Sequence, residues 1–359
     1  MSIQKEERLL RIGVLGCGPI AQAAHFDACL KARNVELYAI CDRADDLRQR
    51  MTEIYQPVAN YADYDTMLAD ENVEAVIVAT ADQFHVPLCQ RAIAAGKHVF
   101  VEKPLGVTIE ECEALRTQVA ATNLVFQVGN NKRYDPGIAF AHKFVQDEIG
   151  DLMAFKGWYC DSVHRYTMTD NLQPLIETSA QSIKPQSDLK ADRGRYVLMA
   201  HGVHLVDTAQ FLAGEIVAVQ AQRVERFGAY CWFVSLEFAN GAVGHLDLTI
   251  AIRGDWDEGF RIYGEYGSVK ANVFLPWFHK ASEVECYSVR DNQYHRPLGA
   301  DGYTYRRQLE GFAETILQGK PTQAATLDDG LTALRALVAI SRSAETNEPI
   351  RLADVSGGV

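Results

Sequence analysis

The feature that most limits the fold of this chain is a short string near its start, Gly16-Cys17-Gly18-Pro19-Ile20-Ala21, taken with its surroundings. An apolar strand, Arg11 to Leu15, precedes it. A helix-spaced segment, Ile20 to Ala32, follows, and a second apolar strand, Val35 to Cys41, lies beyond. The first glycine permits a tight turn, the second lets a ligand approach the backbone, and the small last residue lets helix and strand pack closely. The helix start then offers free N–H groups and a positive dipole end to phosphate. The string by itself would also suit a plain glycine turn. Strand before, helix after and strand beyond make it a dinucleotide site. It predicts Gly16, Gly18, Pro19 and Ile20 beside the pyrophosphate of a nicotinamide dinucleotide.

Asp42 closes the second strand. A carboxylate there accepts hydrogen bonds from the adenosine ribose and repels a 2′-phosphate, which favours NAD. Arg43 could instead greet the phosphate of NADP, or be a solvated surface residue. Strand and helix keep alternating: Glu74 to Ala79, then His85 to Ala95 ending at Gly96, His98 to Val101, Ile109 to Thr122, and Leu124 to Val128. This pattern predicts a parallel, doubly wound sheet.

The pattern changes near Asp151. Leu152 to Cys160 reads as a strand, and Asp161 to Arg195 as a polar stretch too long for an ordinary connection. That stretch is a candidate substrate loop carrying Asp161, Arg165, Tyr166, Arg193 and Arg195. Tyr196 to Leu212 is helical. Val217 to Arg226, Tyr230 to Ala239, Ala242 to Ile252, Phe260 to Tyr263 and Ser268 to Val273 read as strands, with Asn240-Gly241 as a hairpin turn. Two helices, Tyr303 to Leu317 and Leu327 to Glu345, close the chain. The expectation is an α/β protein: an N-terminal Rossmann domain over residues 1–135, then an α+β domain over 136–359. The second domain has an open, mostly antiparallel sheet, and the last helices are free to pack back on the first.

Bulk properties exclude other classes. A chain of 359 residues with 48% hydrophobic residues fills two cores without staples. A net charge of -12 with no dense Lys/Arg block argues against nucleic acid. The polar start and the lack of a long apolar run argue against a signal peptide or a membrane span. The eight cysteines are scattered, with no Cys-x-x-Cys pair, so they read as small buried hydrophobes in a reducing cytoplasm.

Glu102-Lys103-Pro104 follows the strand His98 to Val101. In an open α/β sheet, ligands sit outside the carboxyl ends of the strands, so Lys103 is placed to meet the nicotinamide. The plainer alternative is a surface pair with Glu102. The proline fixes an extended backbone before it, which a surface pair does not need. His201 and His204 lie near the start of a helix, with Asp207 on the face of His204. No cysteine or carboxylate cluster adjoins them, so acid–base or substrate-binding roles are preferred and no metal site is predicted. For His204 the plainer alternative is a hydrogen-bonded core histidine.

With these residues in view, the chain resembles the Gfo/Idh/MocA oxidoreductases, the family of glucose–fructose oxidoreductase and the inositol dehydrogenases. The likeness covers essentially the whole chain. It rests on Gly16 to Ala21, Thr80 to His85, Ala95-Gly96-Lys97-His98-Val99-Phe100-Val101-Glu102-Lys103-Pro104 and Asn131-Lys132-Arg133-Tyr134-Asp135-Pro136. His204-x-x-Asp207 and Gly264-Glu265-Tyr266-Gly267-Ser268 complete it. The resemblance implies hydride transfer at a ring hydroxyl of a sugar, glycoside or cyclic polyol, and a homo-oligomer, dimer or tetramer, built through the sheet. It implies that Lys103 contacts nicotinamide ribose and substrate, and that His204 is the histidine of the family's Asp-x-x-x-His pattern. By the resemblance, Thr80, Asp82 and His85 would lie along the cofactor and Arg133 near the substrate mouth; Glu102 is expected at the cofactor beside Lys103, and Tyr134, Asp161, Arg165, His201 and Asp207 on the substrate side.

One departure stands out: where the family has its aspartate, this chain has Ala200. His201 could take part of that role, or Asp161 or Asp192 could enter from the long loop. The leading expectation is an NAD-dependent dehydrogenase, with C3 of a pyranose as one target. The alternatives are an NAD-retaining enzyme that cleaves glycosides by transient ring oxidation, and a non-catalytic NAD sensor. Lys103 and His204 together disfavour the sensor.

Overall fold

The residues Ala75–Val78 are all apolar and fully buried. A strand of this kind is covered on both faces, as inner strands of parallel sheets are. The structure, a computed structural model that describes residues 8–164, 171–183 and 191–359, makes it β4 of a six-stranded sheet. Its companions are β1 (Leu10–Leu15), β2 (Val35–Cys41), β3 (Ala59–Tyr61), β5 (His98–Val101) and β6 (Phe126–Val128). The order is β3-β2-β1-β4-β5-β6, and every pairing is parallel. The order reverses direction between β1 and β4, and a ligand crevice is expected outside the carboxyl ends of the strands there.

The second sheet has nine strands: β7 (Leu152–Ser162), β8 (Ile216–Arg226), β9 (Ala229–Phe238), β10 (Val243–Ile252), β11 (Asp257–Gly264), β12 (Gly267–Asn272), β13 (Glu283–Ser288), β14 (Gln293–His295) and β15 (Ile350–Arg351). Their order is β14-β13-β12-β11-β7-β10-β9-β8-β15, antiparallel except for the pair β7 and β10. Along β9, Tyr230, Trp232, Val234, Leu236 and Phe238 are buried while Phe233 is exposed, the alternation of a sheet packed on one face. Helices Val203–Ala213 and Leu327–Thr346 cover that face. Asn240-Gly241 turns between β9 and β10, with Gly241 at φ +86°.

Helix Thr304–Gln318 packs back on the first sheet. Its Leu309 and Phe312 are fully buried in one core with Phe26 and Phe100. The described cysteines are unpaired thiols, and most are buried. No helix among the described residues is long and apolar enough to cross a membrane.

Several boundaries differ from the sequence reading. The first helix opens with a π-helical turn, Ala21–His25, before α-helix Phe26–Lys31. The helix expected from Tyr196 starts at Arg193 and carries a second π-helical turn, Leu198–Gly202. Strand β7 runs on through Asp161 and Ser162, so these belong to the sheet and not to the loop. Arg165 and Tyr166 lie outside the described residues. Helix Pro136–Asp147 was not expected, although Asp135-Pro136 is a strong start signal: the Asp135 carboxylate accepts from Gly137 and Ile138 N–H. Helix Tyr64–Ala69 and strands β3, β13, β14 and β15 are too short to leave a clear period.

Candidate active site

At the carboxyl end of β1, Gly16 adopts φ +98°, and a Cβ there would stand 2.6 Å from the Ala79 carbonyl oxygen. Only glycine fits. A Cβ on Gly18 would meet no described residue within 4 Å, so among the described residues the space next to this part of the turn is open. Pro19 is exposed and Ile20 half-buried. Asp42 Oδ2 accepts from Cys17 N–H at 2.8 Å, and Oδ1 accepts from Ala44 N–H at 2.9 Å. The carboxylate is thereby fixed beside the glycine turn, while Arg43 projects into solvent. At the end of β4, Thr80 Oγ1 is buried without a hydrogen-bond partner among the described residues. Open space above a glycine turn, a fixed carboxylate and an unsatisfied hydroxyl at the strand ends suit a dinucleotide.

Two expected cofactor residues do structural work. His85 is fully buried, with Nδ1 2.7 Å from the Pro104 carbonyl oxygen and Nε2 3.2 Å from that of Thr80. It ties the loops after β4 and β5 together. Asp82 is half-buried in the turn Asp82–Phe84. Glu102 is buried against His25, which the first π-helical turn delivers: Glu102 Oε1 lies 2.8 Å from His25 Nε2, and Oε2 accepts from Lys103 N–H at 3.2 Å. Burial opposes the charge on Glu102, but the hydrogen bond and charge of His25 outweigh it and hold the pKa below the ordinary glutamate value. A lowered carboxyl pKa stabilises the fold above the unfolded value of about 4.3, and that contribution is lost as pH falls through the lower folded value. The stability difference between wild type and Glu102→Gln should therefore shrink as urea unfolding is followed from pH 6 towards about pH 3. A difference that stays constant over that range would contradict it.

Lys103 is half-buried, and the Lys103–Pro104 peptide is cis. Its Nζ donates to the Ala200 carbonyl oxygen at 3.0 Å, within the second π-helical turn. His201 and His204 follow, both half-buried. Tyr159 of β7 joins them: its hydroxyl lies 3.2 Å from His201 Nδ1, and its ring is parallel to His204 with centroids 6.2 Å apart. Trp256 meets the Tyr159 ring edge-on at 4.9 Å, and Lys132 Nζ, paired with Glu258, lies 4.6 Å from its centroid. Asp161 Oδ2 stands 3.9 Å from His201 Nδ1. Asp192, the other loop carboxylate, is exposed and caps the helix Arg193–Val197 by accepting from Arg195 N–H. Lys103, Ala200, His201, His204, Tyr159 and Asp161 thus form one cluster joining the two sheets.

Arg133 and Asp207 are both buried and pair with each other. Arg133 Nε lies 3.1 Å from both Asp207 carboxylate oxygens, a terminal guanidinium nitrogen lies 2.7 Å from Oδ1, and Asp329 sits 3.1 Å away. Burial opposes the guanidinium charge, but Asp207 and Asp329 outweigh it and raise its pKa. Tyr134 is buried, with its hydroxyl 3.3 Å from Thr322 Oγ1. Tyr159 and Trp256 carry no signal in the sequence that marks them for the site, and Lys132 is marked only as part of the Asn131–Pro136 string. Period-two alternation would have put Tyr159 and Asp161 on one face, had β7 been extended by its last residues.

A family model described as "Oxidoreductase family, NAD-binding Rossmann fold" matches residues 10–130. Its companion, "Oxidoreductase family, C-terminal alpha/beta domain", matches residues 186–352. The chain belongs to the Gfo/Idh/MocA family. It is an oxidoreductase whose cofactor is NAD. Among family members, myo-inositol 2-dehydrogenase of Thermotoga maritima is 25% identical over 97% of this chain and 100% of its own length. D-glucoside 3-dehydrogenase of Escherichia coli is 22% identical over 96% and 97%. A solved levoglucosan dehydrogenase in complex with NADH and levoglucosan superposes with a TM-score of 0.78 at 22% identity. That match covers 96% of this chain and 100% of the other, and shows the shared fold.

Proposed function

We propose that this enzyme oxidises a ring CH–OH group of a sugar, glycoside or cyclic polyol. The observation that carries the reading is the hydrogen bond from Lys103 at the end of β5 to the helix that bears His201 and His204. It brings a cation from the dinucleotide side and two imidazoles from the sheet side into one cluster. NAD, when bound, supplies the hydride acceptor. Lys103 orients the substrate hydroxyl, and His204 takes its proton, since imidazole titrates near neutrality. The Ala200 carbonyl holds the lysine, and Asp161 with Tyr159 steadies His201. Assembly into dimers or tetramers through the uncovered sheet face, where Phe233 and Val243 stand exposed, belongs to the same proposal.

The test is a panel of inositols, monosaccharides and glycosides offered with NAD or NADP, following reduced nicotinamide. Net NADH should form with at least one ring polyol, which a redox-neutral glycoside cleavage would not give. NAD should be used more efficiently than NADP, and Asp42→Ala should relax that preference. Equal or better use of NADP by the wild type would shift the ribose role from Asp42 to Arg43. No turnover with any ring polyol would sink the substrate class.

A further inference from the structure

The described residues 171–183 belong by sequence to the connection after β7, yet part of this segment lies against the first domain. The link runs through Gln22, which sits in the π-helical turn after the glycine string and is only 2% exposed. Its Nε2 donates to the Cys17 carbonyl oxygen at 2.8 Å and to the Glu177 carbonyl oxygen at 3.0 Å. Its Oε1 accepts from Glu177 N–H at 2.9 Å. One buried amide therefore fastens the glycine turn and the distant segment together. Three more contacts fall on the helix Asp45–Tyr55. Ser179 Oγ donates to Asp46 Oδ1 at 2.6 Å, Gln181 Oε1 accepts from Asp45 N–H at 3.1 Å, and Glu177 lies 3.7 Å from Arg50.

These contacts cluster on the glycine turn and on the helix that follows Asp42, the two pieces that would hold the pyrophosphate and the adenosine ribose. The segment does not fill the open space over Gly18. It forms a wall beside the dinucleotide site. We propose that residues 174–181 are a coenzyme strap: contributed by the connection to the sheet domain and latched by Gln22, they slow the departure of the dinucleotide. Gln22 is a positioning residue, acting through the strap and the Cys17 carbonyl. The proposal rests on the cofactor site described above, and on none of the assignments at Lys103 or His204.

The strap can be tested without turnover. NADH is bound to the full-length wild type, to Gln22→Ala and to the double variant Ser179→Ala/Gln181→Ala, and its release is followed by nicotinamide fluorescence after displacement with excess NAD. Gln22→Ala should release NADH ~10-fold faster or more, in keeping with the loss of a shared pair of hydrogen bonds. The double variant should be faster by a smaller factor, and it keeps the test open if Gln22→Ala fails to fold. Hydrogen exchange of residues 174–181 should slow when NADH binds to the wild type. Release rates within two-fold of wild type in folded variants, or exchange in the segment indifferent to NADH, would overturn the strap while leaving the cofactor site intact. Failure of the wild type to bind NADH would overturn the cofactor site and the strap together.

Discussion

Alanine in place of His204 should lower turnover by ~10²–10⁴-fold, the usual weight of a positioned acid–base group. Lys103→Ala should cost a similar factor, and both variants should still bind NADH. The reasoning is chemical. When hydride leaves a ring carbon, the attached hydroxyl must lose its proton, and the cluster offers an imidazole and an amine from opposite sides. The ring of Tyr159 runs parallel to that of His204, with centroids 6.2 Å apart. Lys103 is aimed by the Ala200 carbonyl, a fixed acceptor that no side-chain substitution at position 200 removes. With no carboxylate at that position to share the work, the two residues carry more of it. Steady-state rates on the best substrate of the panel, with NADH titrations alongside, measure the effect. Near-normal turnover in both variants would place the chemistry elsewhere.

Arg133→Ala should destabilise the protein by ~3–5 kcal/mol, because it leaves the buried Asp207 carboxyl, whose pKa burial already raises, without its partner. The side chains of Arg133 and Asp207 are only 6% and 2% exposed, so water cannot take over. The loss would appear as a lower urea midpoint at unchanged slope. Replacing both residues with apolar ones of similar volume should recover much of it, since buried ion pairs often give little net stability over such a pair. A folded Arg133→Ala of wild-type stability and a raised KM would instead return Arg133 to the substrate side.

The dinucleotide half was legible because its signals are local. The glycine string between strand and helix and the repeated strand–helix alternation each declare themselves within a few residues. What escaped depends on partners far along the chain. Arg133 carries the look of a substrate cation, but its fate is decided by Asp207 and by Asp329, which lies 196 residues away. Gln22 is an ordinary helix residue until Glu177 arrives from 155 residues on. A strand that ends at Cys160 puts Asp161 in the loop. Once β7 extends to Ser162, the carboxylate falls on the face of Tyr159, toward His201.

The widened turns at Ala21–His25 and Leu198–Gly202 set the phase of this site. A turn closed from i to i+5 holds one residue more than an α-turn, so it acts as an insertion absorbed inside the helix, worth about 100° of rotation. Counting back by fours from His204 across such a turn does not land on the face that an unbroken helix would present. Deleting a single residue between Leu198 and Gly202 would close the wide turn to a regular one, leaving Arg193–Val197 and Val203–Ala213 in phase but withdrawing the displaced carbonyl from Lys103. No point substitution does that. The geometry around Lys103 is therefore tuned by chain length as well as by side-chain identity: one widened turn carries His25 to Glu102, and the other carries a carbonyl to the lysine.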